Sequence, residues 1–345
     1  GPPGTGKTQT ILNIIANLLL ADKTVLVVSN NNSAVENVAE KLAGESLDFI
    51  VAKLGSVQNK EAFIANQPNY PEMSGWVIEE EPVRQQAQNS LHTTTQGFDA
   101  QTRQAQLKAE YDALLKEAKY NDMLQQKSVG KEWLNDKCSS KLMKLLNLYQ
   151  LKIEDKTKPD IWFRLKWTFS LGMRMFSFLG GKPSDVVAGL ESAYYFSRKT
   201  EIEQELDAIA TTLQTIDIKR CMVELRSASL LVLKSRIAKR YQGSERRKFS
   251  TKDIKPKTEE FLKEYPVVLS TTYSAKSCIS KDMVFDYVIM DEASQVDIKT
   301  GTLALSCAVN AVIVGDDKQL PNVVSREEAQ ALNAIQSTYN VDDRY

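Results

Sequence analysis

The sequence has few of the residues on which several kinds of site depend. Its 345 residues include one histidine, His92, and four cysteines that form no C-x-x-C pair. This scarcity argues against a zinc site, a disulfide framework and histidine-based catalysis, and it is typical of a protein from a reducing compartment. We therefore expect a cytoplasmic location. The cysteines are Cys138, Cys221, Cys278 and Cys307.

The chain also lacks net charge and long apolar runs. The 44 Lys and Arg residues balance 44 Asp and Glu residues, so any argument for nucleic-acid binding has to be local. No run of about 18 apolar residues occurs, so we predict neither a transmembrane helix nor a membrane partner. The hydrophobic fraction of 42% is enough for a proper core, and the length suggests about two domains.

The first eight residues fit the phosphate-binding pattern G-x-x-x-x-G-K-[ST]. Its glycines let successive backbone N–H groups turn towards one anion. Lys7 would contact the β- and γ-phosphates, and the Thr8 hydroxyl would bind Mg²⁺. We therefore predict ATP and Mg²⁺ as cofactors. The predicted nucleotide-binding residues are Gly1, Pro2, Pro3, Gly4, Thr5, Gly6, Lys7, Thr8 and Gln9.

An α/β pattern occupies the two ends of the chain. Apolar residues at helical spacing follow the loop, and short apolar runs recur near 24–29, 49–54, 266–270, 285–290 and 311–314. Such runs are typical of buried parallel strands. We predict the doubly wound, parallel α/β sheet of a P-loop NTPase, built from residues 1–58 and 262–345. Because no strand precedes Gly1 and no initiating Met is present, we expect a fragment of a longer protein.

Residues 59–261 contain little that resembles a strand, so we predict a large all-helical insertion. Leu107, Tyr111 and Leu114 follow a heptad spacing on one helix. The same spacing recurs on a second helix at Ile202, Leu206, Ile209 and Leu213. Two matching seams predict an antiparallel coiled-coil hairpin. Its tip carries an aromatic and basic segment at 161–171. That segment either closes the tip as a small core or contacts a base stack, a membrane or, as we expect if it binds anything, a protein partner.

The stretch 235–257 is strongly basic, with nine Lys and Arg residues against two acidic ones. Such a cluster is able to follow a phosphate backbone, and it is equally consistent with a solvated hinge. Arg246, Arg247 and Lys248 are the candidate nucleic-acid contacts within it.

Two carboxylates come directly after the strand predicted at 285–290. Asp291 would share Mg²⁺ with Thr8, and Glu292 would polarise the water that attacks the γ-phosphate. Gln319 follows the next strand and would reach the same phosphate or its water. The predicted catalytic residues are therefore Lys7, Glu292 and Gln319.

Three segments resemble motifs I, II and III of superfamily 1 helicases, namely residues 1–8, 291–295 and 315–321. The DEASQ form of the second is similar to the 5′→3′ branch, which includes the nonsense-mediated-decay and Okazaki-fragment helicases and a bacterial group of AAA-domain helicases. Residues 25–38 look like motif Ia and residues 270–272 like motif Ic. The resemblance implies that these contact the nucleic-acid backbone through Asn30, Asn31, Asn32, Ser270, Thr271 and Thr272.

The resemblance implies the ATP-binding motor domain of a nucleic-acid-dependent ATPase, a helicase or translocase acting on single-stranded DNA or RNA. It places the insertion where the family carries its 1B region and stalk. It also implies that a second RecA-like domain lies outside this chain, so we expect the chain alone to be nearly inactive. Two alternatives are an SMC-like structural ATPase, although the signature glycines of that class are absent near Leu269, and a signalling or defence ATPase that binds protein partners.

Overall fold

A computed structural model describes residues 6–30, 32–124 and 132–316 and, further on, residues 330, 334 and 338. Residues 1–5, Asn31 and Gln319 therefore lie outside the described residues. The chain divides into two compact units. Unit one comprises Gly1–Glu81 and Ser229–Tyr345, and unit two comprises Pro82–Ala228.

The described residues of unit one form a five-stranded sheet in the order β2-β3-β1-β4-β5, and each neighbouring pair is parallel. The strands are β1 Val25–Ser29, β2 Val51–Lys53, β3 Val267–Thr271, β4 Phe285–Met290 and β5 Ala308–Ile313. Ser29 lies opposite Thr271, and Val28 lies opposite Met290. The strands therefore end together along one side of the sheet, which we call the carboxyl edge. This confirms the predicted RecA-like P-loop fold.

The helices follow in chain order. They are α1 Lys7–Leu20, α2 Asn32–Gly44, α3 Val57–Ala65, α4 Glu80–Leu124, α5 Ser139–Glu154, α6 Ile161–Leu171, α7 Arg174–Phe178, α8 Pro183–Thr215, α9 Ile218–Tyr241, α10 Thr258–Glu264 and α11 Ile298–Leu305. Within the described ranges, no helix has the length and apolar character needed to span a bilayer.

Unit one has a core on each face of its sheet. Because successive strand residues point to opposite faces, Val25 and Val27 of β1 pack in one cluster while Leu26 and Val28 pack in the other. The first cluster is filled from α1 and α2, which bury residues at helical spacing such as Ile11 and Ile15. The second cluster is filled largely from α10 and from residues of the basic stretch, including Phe249.

The compact units differ in extent from the predicted domains. Residues 59–81 and 229–261, which we assigned to the insertion on sequence grounds, group with the sheet. The reason is packing, since Tyr241 joins the first core cluster and Phe249 and Ile254 join the second. These residues lack the alternation of strands, so the sequence pattern gave no sign that they cover the sheet.

The described residues of unit two contain helices, joined by turns, and no strand. Helices α5, α6, α7 and α8 enclose a core of leucine and aromatic side chains, among them Leu142, Tyr149, Trp167 and Leu190. This confirms that a helical insertion interrupts the α/β fold.

A smaller cluster lies between α4 and α8. Leu107, Leu114 and Ile202 are buried there, with Tyr111, Leu206 and Ile209 packed against them. The contact between the two predicted seams is therefore present, although Leu213 is not part of the cluster. Ion pairs flank it, since Arg198 donates to Glu110 at 2.7 and 3.0 Å and Arg103 donates to Glu205 at 2.7 Å.

Candidate nucleotide-binding site and carboxyl edge

Lys7 stands at the first position of α1. The residue before it, Gly6, has a left-handed backbone with φ of 80°, which glycine adopts without steric cost. No side chain of the described residues caps this end of the helix. The first backbone N–H groups of α1 therefore point outward with the positive end of the helix dipole, which suits a phosphate.

Asp291 lies where β4 ends. Its N–H donates to the Val28 carbonyl at 2.8 Å, which continues the ladder with β1, and its carboxylate accepts the Glu292 N–H at 2.9 Å. Burial raises the pKa of the Asp291 carboxyl above its ordinary value, and the Glu292 charge adds to this, while the Glu292 N–H and the Lys7 charge act in the opposite direction. A nearby cation stabilises the charged form of a carboxylate that burial disfavours.

Glu292 combines backbone strain with an unsatisfied side chain. Its φ and ψ of 52° and 42° lie in the left-handed region, which residues other than glycine rarely adopt. Its Oε1 lies 3.1 Å from Lys7 Nζ. Among the described residues, neither Glu292 Oε2 nor Lys7 Nζ makes a hydrogen bond, although both atoms are buried. Strain and unsatisfied buried groups at one spot are typical of functional sites.

These residues fit ATP with Mg²⁺. Lys7 and the start of α1 supply positive groups for phosphate, and Thr8 and Asp291 supply the hard oxygen ligands that Mg²⁺ prefers. In the described parts of the chain, no group of three or more His, Cys, Asp or Glu side chains is placed to hold a metal by itself. That also fits Mg²⁺, which is usually held by one or two carboxylates together with the oxygens of a bound phosphate and water.

The turn after β5 touches the turn that carries Glu292. The Ala293 N–H donates to the Val314 carbonyl at 2.9 Å. A Cβ at Gly315 would lie 3.2 Å from the Ser294 nitrogen, so a larger residue would crowd this contact. The Ser294 hydroxyl is a further buried group with no hydrogen bond among the described residues. We did not predict Ser294 or Gly315 as site residues, and only their place in the motifs pointed to them.

Asn30 is exposed, and its side chain links the ends of three strands. Its side-chain nitrogen donates to the Gln295 carbonyl at 2.8 Å, and its side-chain oxygen accepts the Thr272 hydroxyl. Thr272 and Ser270 are both buried. Of the residues predicted to contact nucleic acid at this edge, Asn30 and Asn32 are exposed, Thr271 is half-buried, and Ser270 and Thr272 are internal.

Arg246, in the basic stretch, is also internal. Its side chain is 5% exposed, it pairs with Glu264 at 3.2 Å, and it donates to the Phe49 carbonyl. The guanidinium also lies over the rings of Tyr70 and Tyr265, at 4.7 and 4.3 Å from their centroids. These contacts hold the chain against the sheet, and they leave the side chain no surface for a phosphate.

Half of the other eight cations of the basic stretch have acidic partners. Lys239 pairs with Glu80, Arg240 with Asp22, Arg247 with Glu260 and Lys257 with Asp253. Three of these four acidic residues lie outside the stretch, so a local count of charge overstates its field. Lys248 is exposed.

The sheet order, the helix that opens at Lys7 and the acidic turn after β4 define a RecA-like P-loop fold. Comparison with known proteins extends this, because a family of AAA domains matches residues 1–327. The match covers most of the chain, and the chain therefore belongs to this AAA domain family.

Curated relatives carry helicase names. The chain is 42% identical over 50 residues to the DNA polymerase alpha-associated DNA helicase A of Schizosaccharomyces pombe, covering 14% of this chain and 8% of that protein. It is 35% identical over 91 residues to the DNA replication ATP-dependent helicase/nuclease DNA2 of Gallus gallus, covering 26% and 9%. It is 52% identical over 42 residues to an uncharacterized ATP-dependent helicase of Mycoplasma genitalium, covering 12% and 4%.

The matched segments span less than a tenth of the length of each of these relatives. The resemblance to superfamily 1 helicases is confirmed, and neither the SMC-like reading nor the signalling reading is favoured.

Proposed function

We propose that this chain is the ATP-binding motor domain of a nucleic-acid-dependent ATPase, a helicase or translocase. The observation that carries the proposal is the 3.1 Å contact between Lys7 Nζ and Glu292 Oε1. It joins the start of α1 to the acidic turn after β4, two segments that are 285 positions apart in the chain. ATP with Mg²⁺, when bound, supplies the transferable phosphoryl group.

Each residue of the site then has a role. Lys7 and the backbone of residues 1–9 would hold the phosphate oxygens, and Thr8 with Asp291 would hold Mg²⁺. Glu292 would take the proton of the attacking water, and its Oε2, which is buried without a hydrogen bond among the described residues, is the atom available for it. Gln319, which lies outside those residues, is proposed to contact the same phosphate or water.

We propose single-stranded DNA or RNA as the second ligand. The helicase names of the relatives support this, as does the position of Asn32 and Thr271 at the carboxyl edge, where open α/β sheets bind their ligands. Arg247 and Lys248 are the exposed cations of the basic stretch that we keep as phosphate contacts. Arg246 is not kept, because its side chain is buried.

The helical unit is proposed to form a coiled-coil hairpin with a protein-binding tip. Helix α6 is apolar on two faces. Trp167 and Leu171 point into the tip core, whereas Trp162, Phe169 and, just beyond the helix, Met173 are strongly exposed. Exposed Trp, Phe and Met side chains are typical of the centres of protein interfaces.

The central test is nucleic-acid dependence. We expect the full-length protein to bind a fluorescent ATP analogue only with Mg²⁺, and we expect single-stranded DNA or RNA to strengthen its nucleotide binding and raise its ATP turnover, whereas the chain alone should turn over ATP very slowly. Coupling between two ligands is reciprocal, so nucleotide should strengthen binding of the single strand by the same factor. Nucleotide binding that is indifferent to every single-stranded oligonucleotide would contradict the proposal.

A further inference from the structure

Three strongly exposed apolar side chains come shortly after strand ends at the carboxyl edge. Val57 begins α3 just after β2 and is 73% exposed, Tyr273 follows β3 and is 77% exposed, and Ile298 begins α11 after β4 and is 83% exposed. We call these three residues the apolar row. They contribute nothing to either core cluster of unit one, so the fold itself does not account for them.

Tyr273 is held out by a well-anchored turn. The Thr271 hydroxyl accepts the Ser274 N–H at 3.2 Å, and the neighbouring Thr272 donates to Asn30. Two residues further along the chain, Ala275 is buried and anchors the other end of the turn. In the described residues of unit one, Tyr273 carries the only exposed aromatic ring. Because the turn is already rigid, the ring has little conformational freedom left to lose when a ligand binds, which favours binding.

The spacing of the row suits a few nucleotides. In the sheet order, β2 and β4 are separated by three strand spacings. At about 4.8 Å for each spacing the ends of these strands extend over about 14 Å, which is the rise of about four nucleotides at about 3.4 Å each.

The surroundings of the row are polar. Asn30, Asn32, Ser56 and Thr271 follow strands of the same edge, so amides and hydroxyls share this edge with the three apolar side chains. Protein interfaces generally bury a contiguous apolar centre. A single ring with two aliphatic neighbours among polar groups matches a site for the faces of bases, where stacking is tolerant of sequence.

We infer that the apolar row, centred on Tyr273, binds the bases of a single-stranded nucleic acid by stacking and apolar contact. The inference rests on the proposed function and adds the part of the ligand that this edge recognises. The exposed groups of the row are uncharged, so they contact bases, and cations elsewhere contact phosphates.

The experiment compares Tyr273→Ala and Tyr273→Trp with the wild-type chain. Each is titrated with a labelled oligothymidylate and with an abasic strand of the same length, by fluorescence anisotropy at low salt. We expect Tyr273→Ala to weaken binding of the oligothymidylate by about 5- to 100-fold, the effect of losing one or two stacked bases. Tyr273→Trp should bind it at least as well as the wild type. Binding of the abasic strand should be the same for all three, which a merely structural defect would not produce.

Two valines with equal exposure give a matched control. Val57 and Val309 are both 73% exposed, but Val309 lies near the amino end of β5. Val57→Ala should weaken binding of the oligothymidylate, and Val309→Ala should leave it unchanged. If Tyr273→Ala binds the oligothymidylate as tightly as the wild type, the inference is wrong and the proposed function stands. If the wild-type chain binds neither strand, the proposed function fails and the inference fails with it.

Discussion

Lys7 Nζ lies 3.1 Å from Glu292 Oε1, so the cation that should receive a phosphate is held by the carboxylate that should activate water. Both side chains are largely shielded from solvent, and Lys7 Nζ and Glu292 Oε2 lack hydrogen bonds among the described residues. Binding of a phosphate therefore competes with Glu292 for Lys7 and at the same time frees Glu292. The two site residues act as a pair, and the first two predictions separate their roles.

Lys7→Ala should reduce the affinity of the chain for an ATP analogue. A hydrogen bond to a charged group contributes about 1.5–3 kcal/mol, so we expect a loss of about 10- to 150-fold. Isothermal titration with a non-hydrolysable ATP analogue and Mg²⁺ measures it. Lys23→Ala is the matched control, since Lys23 also forms a 3.1 Å ion pair, with Asp286, away from the carboxyl edge. An unchanged affinity in Lys7→Ala would mean that phosphate binds elsewhere.

Glu292→Gln should separate binding from turnover. The amide keeps the size of the side chain and cannot take a proton, so ATP turnover should fall by about 10²- to 10⁴-fold. Nucleotide affinity should be unchanged or higher, because the variant no longer competes for the Lys7 charge. The measurements, made on the full-length protein, are ATP turnover with single-stranded DNA present and the same binding titration. Turnover at the wild-type rate would show that another group is the base.

Much of this site was predictable from the sequence because its chemistry is local. The glycines before Lys7, the apolar run before Asp291 and the parallel pattern of short strands are read over a few neighbouring residues, and together they indicate a shared sheet edge. The nucleic-acid contacts were not predictable in the same way. Asn30 and Thr272 pair with groups that follow other strands, and Ser270 is buried beside the Cys278 thiol, and sequence alone does not show which polar groups will pair in this way.

The basic stretch shows the same limit for charge. Arg246 looks like its neighbours in sequence, but its partners Glu264, Tyr70 and Phe49 come from distant segments. Tyr273 shows the converse, because an aromatic residue after a buried strand is more often core. Only the structure shows that its ring is exposed.

Arg246→Ala should destabilise unit one far more than Lys248→Ala. Removing the guanidinium leaves the Glu264 carboxylate partly buried without this partner, and breaking a buried pair typically costs about 3–5 kcal/mol. Burial and the hydrogen bond to Glu264 together raise the pKa of Tyr70 to about 12, so that hydroxyl remains a neutral donor at neutral pH. Urea unfolding followed by circular dichroism measures the difference. Equal midpoints for the two variants would show that Arg246 is not structural.

Alkaline pH should destabilise unit one through Cys278. Burial raises the pKa of its thiol from the ordinary 9.0 to about 11, although a hydrogen bond with Ser270 and the Lys60 charge act in the opposite direction. The unfolded chain releases this proton near pH 9, whereas the folded chain keeps it until about pH 11. The stability due to the neutral thiol is therefore fully present below pH 9 and is lost as the pH rises through 11.

A shift of this size corresponds to about 2–3 kcal/mol of unfolding free energy. Cys278→Ser removes the titrating group and keeps a side chain of similar size, so its unfolding free energy should fall less steeply with pH over the same interval. Tyrosines titrate in both proteins and cancel in the comparison. The measurement is a series of urea unfolding curves for the wild-type chain and for Cys278→Ser, from neutral pH upward. Parallel curves of stability against pH for the two proteins would show that the buried thiol does not set the alkaline limit.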